Sequence, residues 1–253
     1  MLERITTVLI KPHFIAKYLT EKIYKSLIYF FIMLLVALLP TICFFSNGLA
    51  VSSDEYTLME DSIRESKGSL VIENGKIINN NFYITTDLYH YAFSADDYYQ
   101  SKFNVIIEDN NYIIYAYGLK VSKGEIAFDN LNVSKDASID DISLLTKKLY
   151  NIVYDNNFNI VSAYVIVNSI VFILKSLVIL VIFYFLGSLI NPMVKGRFKW
   201  TIDLYAMIPY FLFTAFAGFL GYSILNLIGL LYSYFAYSRA LKAIVKIEVR
   251  KGE

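Results

Sequence analysis

Three long stretches of the chain carry almost no charge, and they set the predicted architecture. No charged residue falls between Lys25 and Asp54, and Ser26–Ser46 reads SLIYFFIMLLVALLPTICFFS. About 20 apolar residues cross the hydrocarbon core of a bilayer, so residues 26–47 predict a first transmembrane helix. Pro40 is expected to kink this helix without ending it, because neighbouring helices can satisfy the freed carbonyl. The rival reading is a signal peptide with Gly48-Leu49-Ala50 as its cleavage site. It fits less well, since apolar signal regions run about 7–15 residues. Asn156–Val194 is interrupted only by Lys175, and predicts a second span over residues 158–190. Leu204–Ser238 then runs 35 residues without a charge. A single helix of that length would overshoot the bilayer at about 1.5 Å per residue. Residues 204–238 are therefore expected to form transmembrane helices 3 and 4, a tight hairpin turning near residues 218–221. The count is four spans.

Between the first two spans the pattern changes. Leu70-Val71-Ile72-Glu73, Asn74-Gly75 and Lys76-Ile77-Ile78 form a strand–turn–strand signature. Phe103, Val105 and Ile107 alternate with more polar residues, as do Ile113, Tyr115, Tyr117, Leu119 and Val121 after Asp109-Asn110-Asn111. A period of two marks strands with one buried face. Ser138, three residues before Asp141, has the spacing of a helix cap. Ile142, Leu145, Leu149 and Ile152 follow at helical spacing. Residues 48–157 thus predict an α+β domain large enough for its own core. The fold class is a polytopic α-helical membrane protein, with four transmembrane helices and an extracellular α+β domain.

Residues 1–25 carry Leu2, Ile5, Leu9, Phe14, Ile15, Tyr18 and Leu19 at helical spacing, with lysines between them. They predict a cytoplasmic amphipathic helix, either lying along the inner leaflet or packed on the other helices.

Composition agrees with the pattern. Of 253 residues 57% are apolar and 18% charged, where soluble domains sit near half and a quarter. The net charge of +1 offers no overall handle for nucleic acid, but the charges are segregated. Thirteen basic residues lie in residues 1–25, in the loop 191–203 and in the tail 239–253, whereas residues 47–155 hold 17 acidic and 9 basic ones. Short basic loops stay cytoplasmic. Both termini are therefore expected in the cytoplasm, the 191–203 loop and the 239–253 tail as cytoplasmic basic segments, and residues 48–157 outside. The single cysteine, Cys43, rules out an intrachain disulfide and a cysteine-based metal cluster.

Candidate chemistry is sparse. Lys175 interrupts the second span, and an ionisable group inside a bilayer is a functional-site hypothesis by default. It lies about one turn below the outer surface, which favours a snorkelling anchor over a buried functional lysine. Asp203 adjoins the basic loop and is expected to form an interfacial ion pair with Lys199 or Arg197. Lys195, Arg197, Lys199, Lys242, Lys246 and Arg250 are candidate membrane-surface cations. The carboxylate doublets Asp54-Glu55, Glu60-Asp61, Asp96-Asp97, Glu108-Asp109 and Asp140-Asp141 lack the ligand order of a calcium loop and read as a solvated acidic surface. Gly218, Gly221, Gly229 and Ala217 are expected to permit close helix contact. No nucleophile elbow, phosphate-binding glycine loop or zinc motif occurs. No catalytic residue, metal site or cofactor is expected, and the chain is read as a non-enzyme.

Three features together resemble a bacterial family, the YvdJ-type maltodextrin-utilisation membrane proteins. They are Ile10-Lys11-Pro12-His13-Phe14 before the first span, Leu70–Ile77 with its Asn-Gly-Lys turn, and the spans that follow a capped helix. The membrane part is distantly similar to Yip-type proteins. The resemblance covers nearly the whole chain and implies a Gram-positive plasma membrane and association with sugar uptake. It supplies no catalytic residues.

The functional expectation is an accessory or regulatory protein whose outer domain senses or docks. Its expected partners are the lipid bilayer and a membrane protein, either a transporter subunit or a second copy. Two alternatives stand beside it: a transporter component with a substrate path through its helices, and a membrane enzyme acting on lipid or cell wall.

Overall fold

A computed structural model describes residues 2–46, 53–66, 68–79, 82–94, 101–128, 130–134 and 137–250. The chain divides into two compact units, residues 1–43 with 169–253, and residues 44–168.

The first unit is helical. Its N-terminal segment forms two short helices, α1 (Leu2–Ile10) and a 3-10 helix (Pro12–Thr20). They are followed by α2 (Ile23–Ser46) and, after the second unit, by the end of α5 (Asn157–Ile190), then α6 (Gly196–Ala206), α7 (Ile208–Leu220) and α8 (Ile224–Arg250). Val8, Ile15 and Tyr18 bury themselves in the same core as Phe30 and Leu34 of α2, Leu180 and Phe183 of α5, and Tyr237 and Leu241 of α8. The N-terminal segment is therefore packed on helices, chiefly α6 and α8.

Pro40 lies inside α2, which continues past it to Ser46. A Cβ on Gly218 would stand 2.5 Å from the Pro40 ring, so glycine lets α7 approach α2 at the proline. Gly221 takes φ 75°, the left-handed conformation that glycine adopts without cost, and ends α7. The chain returns along α7 as α8.

Three helical stretches among the described residues are long and apolar enough to cross a membrane: Ile23–Cys43, Asn157–Ile190 and Gly196–Leu220, the last combining α6 and α7. The sequence reading counts four. The difference lies in α8, where Arg239 ends the apolar run and leaves Ile224–Ser238. At 1.5 Å per residue that run is about 22 Å long, short of the roughly 30 Å core.

The second unit is α+β. It contains α3 (Ser53–Glu65), strands β1 (Leu70–Glu73), β2 (Lys76–Asn79), β3 (Tyr83–Thr85), β4 (Tyr89–Ala92), β5 (Phe103–Glu108), β6 (Asn111–Ala116), β7 (Leu119–Glu125) and β8 (Leu131–Val133), then α4 (Ile139–Asp155) and the start of α5. One sheet has the order β2-β1-β8 and the other β3-β4-β5-β6-β7. Every pairing is antiparallel except β4 with β5.

The β1–β2 hairpin turns at Asn74 (φ 52°) and Gly75 (φ 75°), the two positive φ values of a type I′ turn. Ser138 caps α4, its Oγ accepting from the Asp141 amide at 3.1 Å. Ile142, Leu145, Leu149 and Ile152 present one buried face beneath that cap.

Two strands depart from simple alternation. In β5, Phe103 to Ile107 are all buried, because this central strand is covered on both faces. In β6 the core face is Ile114 and Ala116, so Ile113 and Tyr115 lie on the half-buried side. The strand stops at Ala116, and Tyr117 and Gly118, with φ of 51° and 79°, turn the chain into β7.

Candidate functional site

The helical unit buries polar groups where α5, α6 and α8 meet. Lys195 precedes α6 and its carbonyl accepts the first amide bonds of the helix, from Phe198 and Lys199. One turn in, Lys199 is only 5% exposed and donates from Nζ to Ser188 Oγ of α5 at 3.1 Å. A further turn on, Asp203 is 0% exposed, and neither carboxylate oxygen has a hydrogen-bond partner among the described residues.

Tyr237 of α8 lies within electrostatic reach of that carboxylate. Its ring stacks on Phe183 at 5.8 Å between centroids, and its hydroxyl packs against Gly187, where a Cβ would sit 1.9 Å away. The Tyr237 hydroxyl also lacks a partner among the described residues. Asn191 closes the cluster by donating to the Leu241 carbonyl at 3.3 Å. Asp203 and Tyr237 are thus buried polar side chains with unused hydrogen-bonding capacity. Buried polar groups without partners carry a desolvation cost that ordinary packing does not explain.

The expected ion pair between Asp203 and Lys199 or Arg197 is not formed. The four-residue spacing permits it, but Ser188 on α5 takes the Lys199 ammonium, and the Arg197 side chain is exposed. Lys175 is exposed on α5 and outside this cluster. Lys195 and Lys242 are exposed as well, whereas Lys246 and Arg250 lie on α8 with side chains outside the described set. Among the described residues no group of three or more His, Cys, Asp or Glu could hold a metal ion.

The α+β unit has its own buried carboxylate. Glu55 on α3 is 4% exposed and accepts a hydrogen bond from Thr86 Oγ1. Thr86 is fixed in turn, because its Oγ1 accepts from the Tyr89 amide at 3.1 Å and its amide donates to the Tyr89 carbonyl at 2.8 Å. Burial pushes the Glu55 carboxyl above its ordinary range, and the negative charge of Asp87 adds to the rise. Burial also raises the Tyr89 and Tyr91 phenols.

The doublet Asp54-Glu55 reads as solvated surface in the sequence, but the structure buries Glu55. The usable signal was spacing: Glu55, Met59 and Ile63 share one helix face, and the latter two are core residues. The doublet Asp96-Asp97 and the segment Gly48-Leu49-Ala50 lie outside the described residues. On the surface of the same unit, a cleft of about 570 Å³ runs between α3 and β3, lined by Ser62, Glu65, Ser66, Gly68, Tyr83, Ile84 and Thr85.

Compared with known proteins, the chain matches no family model, no curated protein and no solved structure. Its class follows from its own architecture. Among the described residues it has three helical stretches long and apolar enough to cross a membrane, and a separate α+β region.

Proposed function

We propose that this chain is a non-enzymatic, multi-pass protein of a bacterial plasma membrane, acting as an accessory or regulator of a membrane partner. Its termini lie in the cytoplasm and residues 48–157 outside, which the segregation of basic and acidic residues supports. The outer unit docks or senses, and the Ser62–Thr85 cleft offers it a polar surface for doing so. The fourth span of this reading is the apolar half of α8, returning from the turn at Gly221, its short run matched by local thinning of the bilayer.

The observation that carries the regulatory reading is α5. This uninterrupted helix of 34 residues contributes Ile160 to the core of the α+β unit and Ile179, Leu180 and Phe183 to the core of the helical unit. Only 17% of its most apolar window is buried within the chain, which leaves Ile170, Leu174, Val178 and Ile182 for lipid or a partner helix. The resemblance to maltodextrin-utilisation proteins suggests a sugar transporter as that partner.

Affinity purification from native membranes tests this. A transporter subunit should be retained, and its absence from the purified protein would overturn the reading.

A second reading, a transport component, draws on Asp203 and its two unpartnered oxygens. Substrate flux by the purified chain in liposomes, abolished by Asp203→Asn, would favour it over the first.

A further inference from the structure

A groove of about 420 Å³ opens at the start of α2, lined by Arg4, Tyr24, Lys25, Ile28, Tyr29 and Ile32. Five of the six residues belong to the first three turns of a helix whose apolar run continues to Cys43. Their order along the axis is chemical. The Lys25 ammonium and the Arg4 guanidinium stand at one end, and Ile28 and Ile32 continue down the helix. Lys25 and Ile32 are seven residues apart, or about 10 Å of helix. Charge thus gives way to hydrocarbon over roughly the distance from a phospholipid's phosphate to the upper part of its acyl chains.

Arg4 is held in place before any ligand arrives. Its guanidinium donates to Glu21 Oε1 at 2.6 Å and sits 4.2 Å from the centre of the Tyr29 ring. The second Glu21 oxygen accepts from the Tyr205 hydroxyl at 3.1 Å, so each oxygen of this carboxylate has a partner. A guanidinium has five N–H donors in a planar fork suited to phosphate, and Glu21 takes one of them here. Lys25 is exposed and makes no ion pair among the described residues, and Lys22 lies exposed one turn earlier. Arg4 is balanced by Glu21, so Lys25 is the lining cation without an ion pair among the described residues, and it leaves the groove positive. Ile28 is 51% exposed, so the apolar wall is open to an occupant.

We propose that this groove holds the phosphodiester headgroup of an anionic phospholipid between Arg4 and Lys25, with an acyl chain lying against Ile28 and Ile32. The charge selects against a zwitterionic lipid, whose own ammonium competes with Lys25 for the phosphate. The isoleucines select against free phosphate, which has nothing to place on them. The tyrosines at positions 24 and 29 suit the level where headgroup meets chain. The inference rests on the reading of α2 as a membrane span with its N-terminal end at the cytoplasmic face.

The experiment has two stages. Carbonate washing of native membranes comes first: the chain should stay in the pellet, and its release would overturn the membrane reading and this proposal together. The full chain is then purified in a mild detergent and titrated with phosphatidylglycerol, phosphatidylcholine or inorganic phosphate, reading bound lipid by native mass spectrometry. Phosphatidylglycerol should bind about fivefold more tightly than phosphatidylcholine, the preference expected from one additional unopposed lysine contact. Lys25→Gln should erase that preference and Lys25→Arg should keep it. Ile28→Ser should weaken both lipids alike, and phosphate should not compete. A chain that stays in the membrane but binds the two lipids equally, or keeps its preference in Lys25→Gln, overturns the groove alone. Competition by millimolar phosphate would identify a simple anion site and equally overturn the lipid assignment.

Discussion

The backbone N–H of Tyr210, near the start of α7, donates to the Oγ of Ser233 on α8 at 2.9 Å, and Ser233 is fully buried. The first four N–H groups of a helix have no partner within it, and α7 begins afresh at Ile208-Pro209 after the break at Met207. A serine from the antiparallel neighbour supplies the acceptor. Ser233→Ala should leave that amide buried without a partner and destabilise the helical unit by about 1 kcal/mol. A thermal melt in detergent checks this, and an unchanged midpoint would show that the bond contributes nothing.

Glu55 makes the stability of the α+β unit depend on pH. Burial raises its folded-state pKa above the ordinary carboxyl value of 4.5. The folded unit therefore favours the protonated acid. The corresponding stabilisation is fully present below the unfolded value and is lost as pH rises through the raised folded value. Urea midpoints from pulse proteolysis of this unit should fall as pH is raised from about that of the free acid towards neutrality. Glu55→Gln should flatten the dependence; an equally steep profile in the variant would assign it to other groups.

Gly75 should be intolerant of branching. Its φ of 75° is the left-handed region, and a Cβ there would meet Asn110 Oδ1 at 3.2 Å. Gly75→Val should lower the stability of the α+β unit by more than about 1 kcal/mol, since the native φ is incompatible with a β-branched side chain. Gly75→Asn should be much milder, because asparagine tolerates this conformation. Equal melting midpoints for the two variants would contradict the argument.

Topology can be read with single cysteines on a Cys43→Ala background. Lys120 on β7 and Lys242 on α8 are both exposed, so either position can react if reagent reaches it. A membrane-impermeant maleimide should label Lys120→Cys in intact cells and Lys242→Cys only after lysis. The reverse pattern would invert the orientation.

The features legible in the sequence are those set by neighbours along the chain. Asn74-Gly75 needs only its own backbone preferences to turn β1 into β2. Ser138 reaches the Asp141 amide within one turn, and Ile142, Leu145, Leu149 and Ile152 share a face by helical geometry alone. The apolar runs that become α2 and α5 are long enough to declare themselves by length. Choices among distant partners needed the tertiary structure. Lys199 and Asp203 are one turn apart, yet the ammonium goes to Ser188, eleven residues away on another helix. Ile113 and Ile114 are equally apolar, and the pairing of β6 with β5 and β7 decides which enters the core. Glu55 is buried because Thr86 and Tyr89 meet it from 31 residues or more along the chain. Local conformational energies act over a few residues, whereas burial and hydrogen-bond pairing are fixed only when separate elements close on one another.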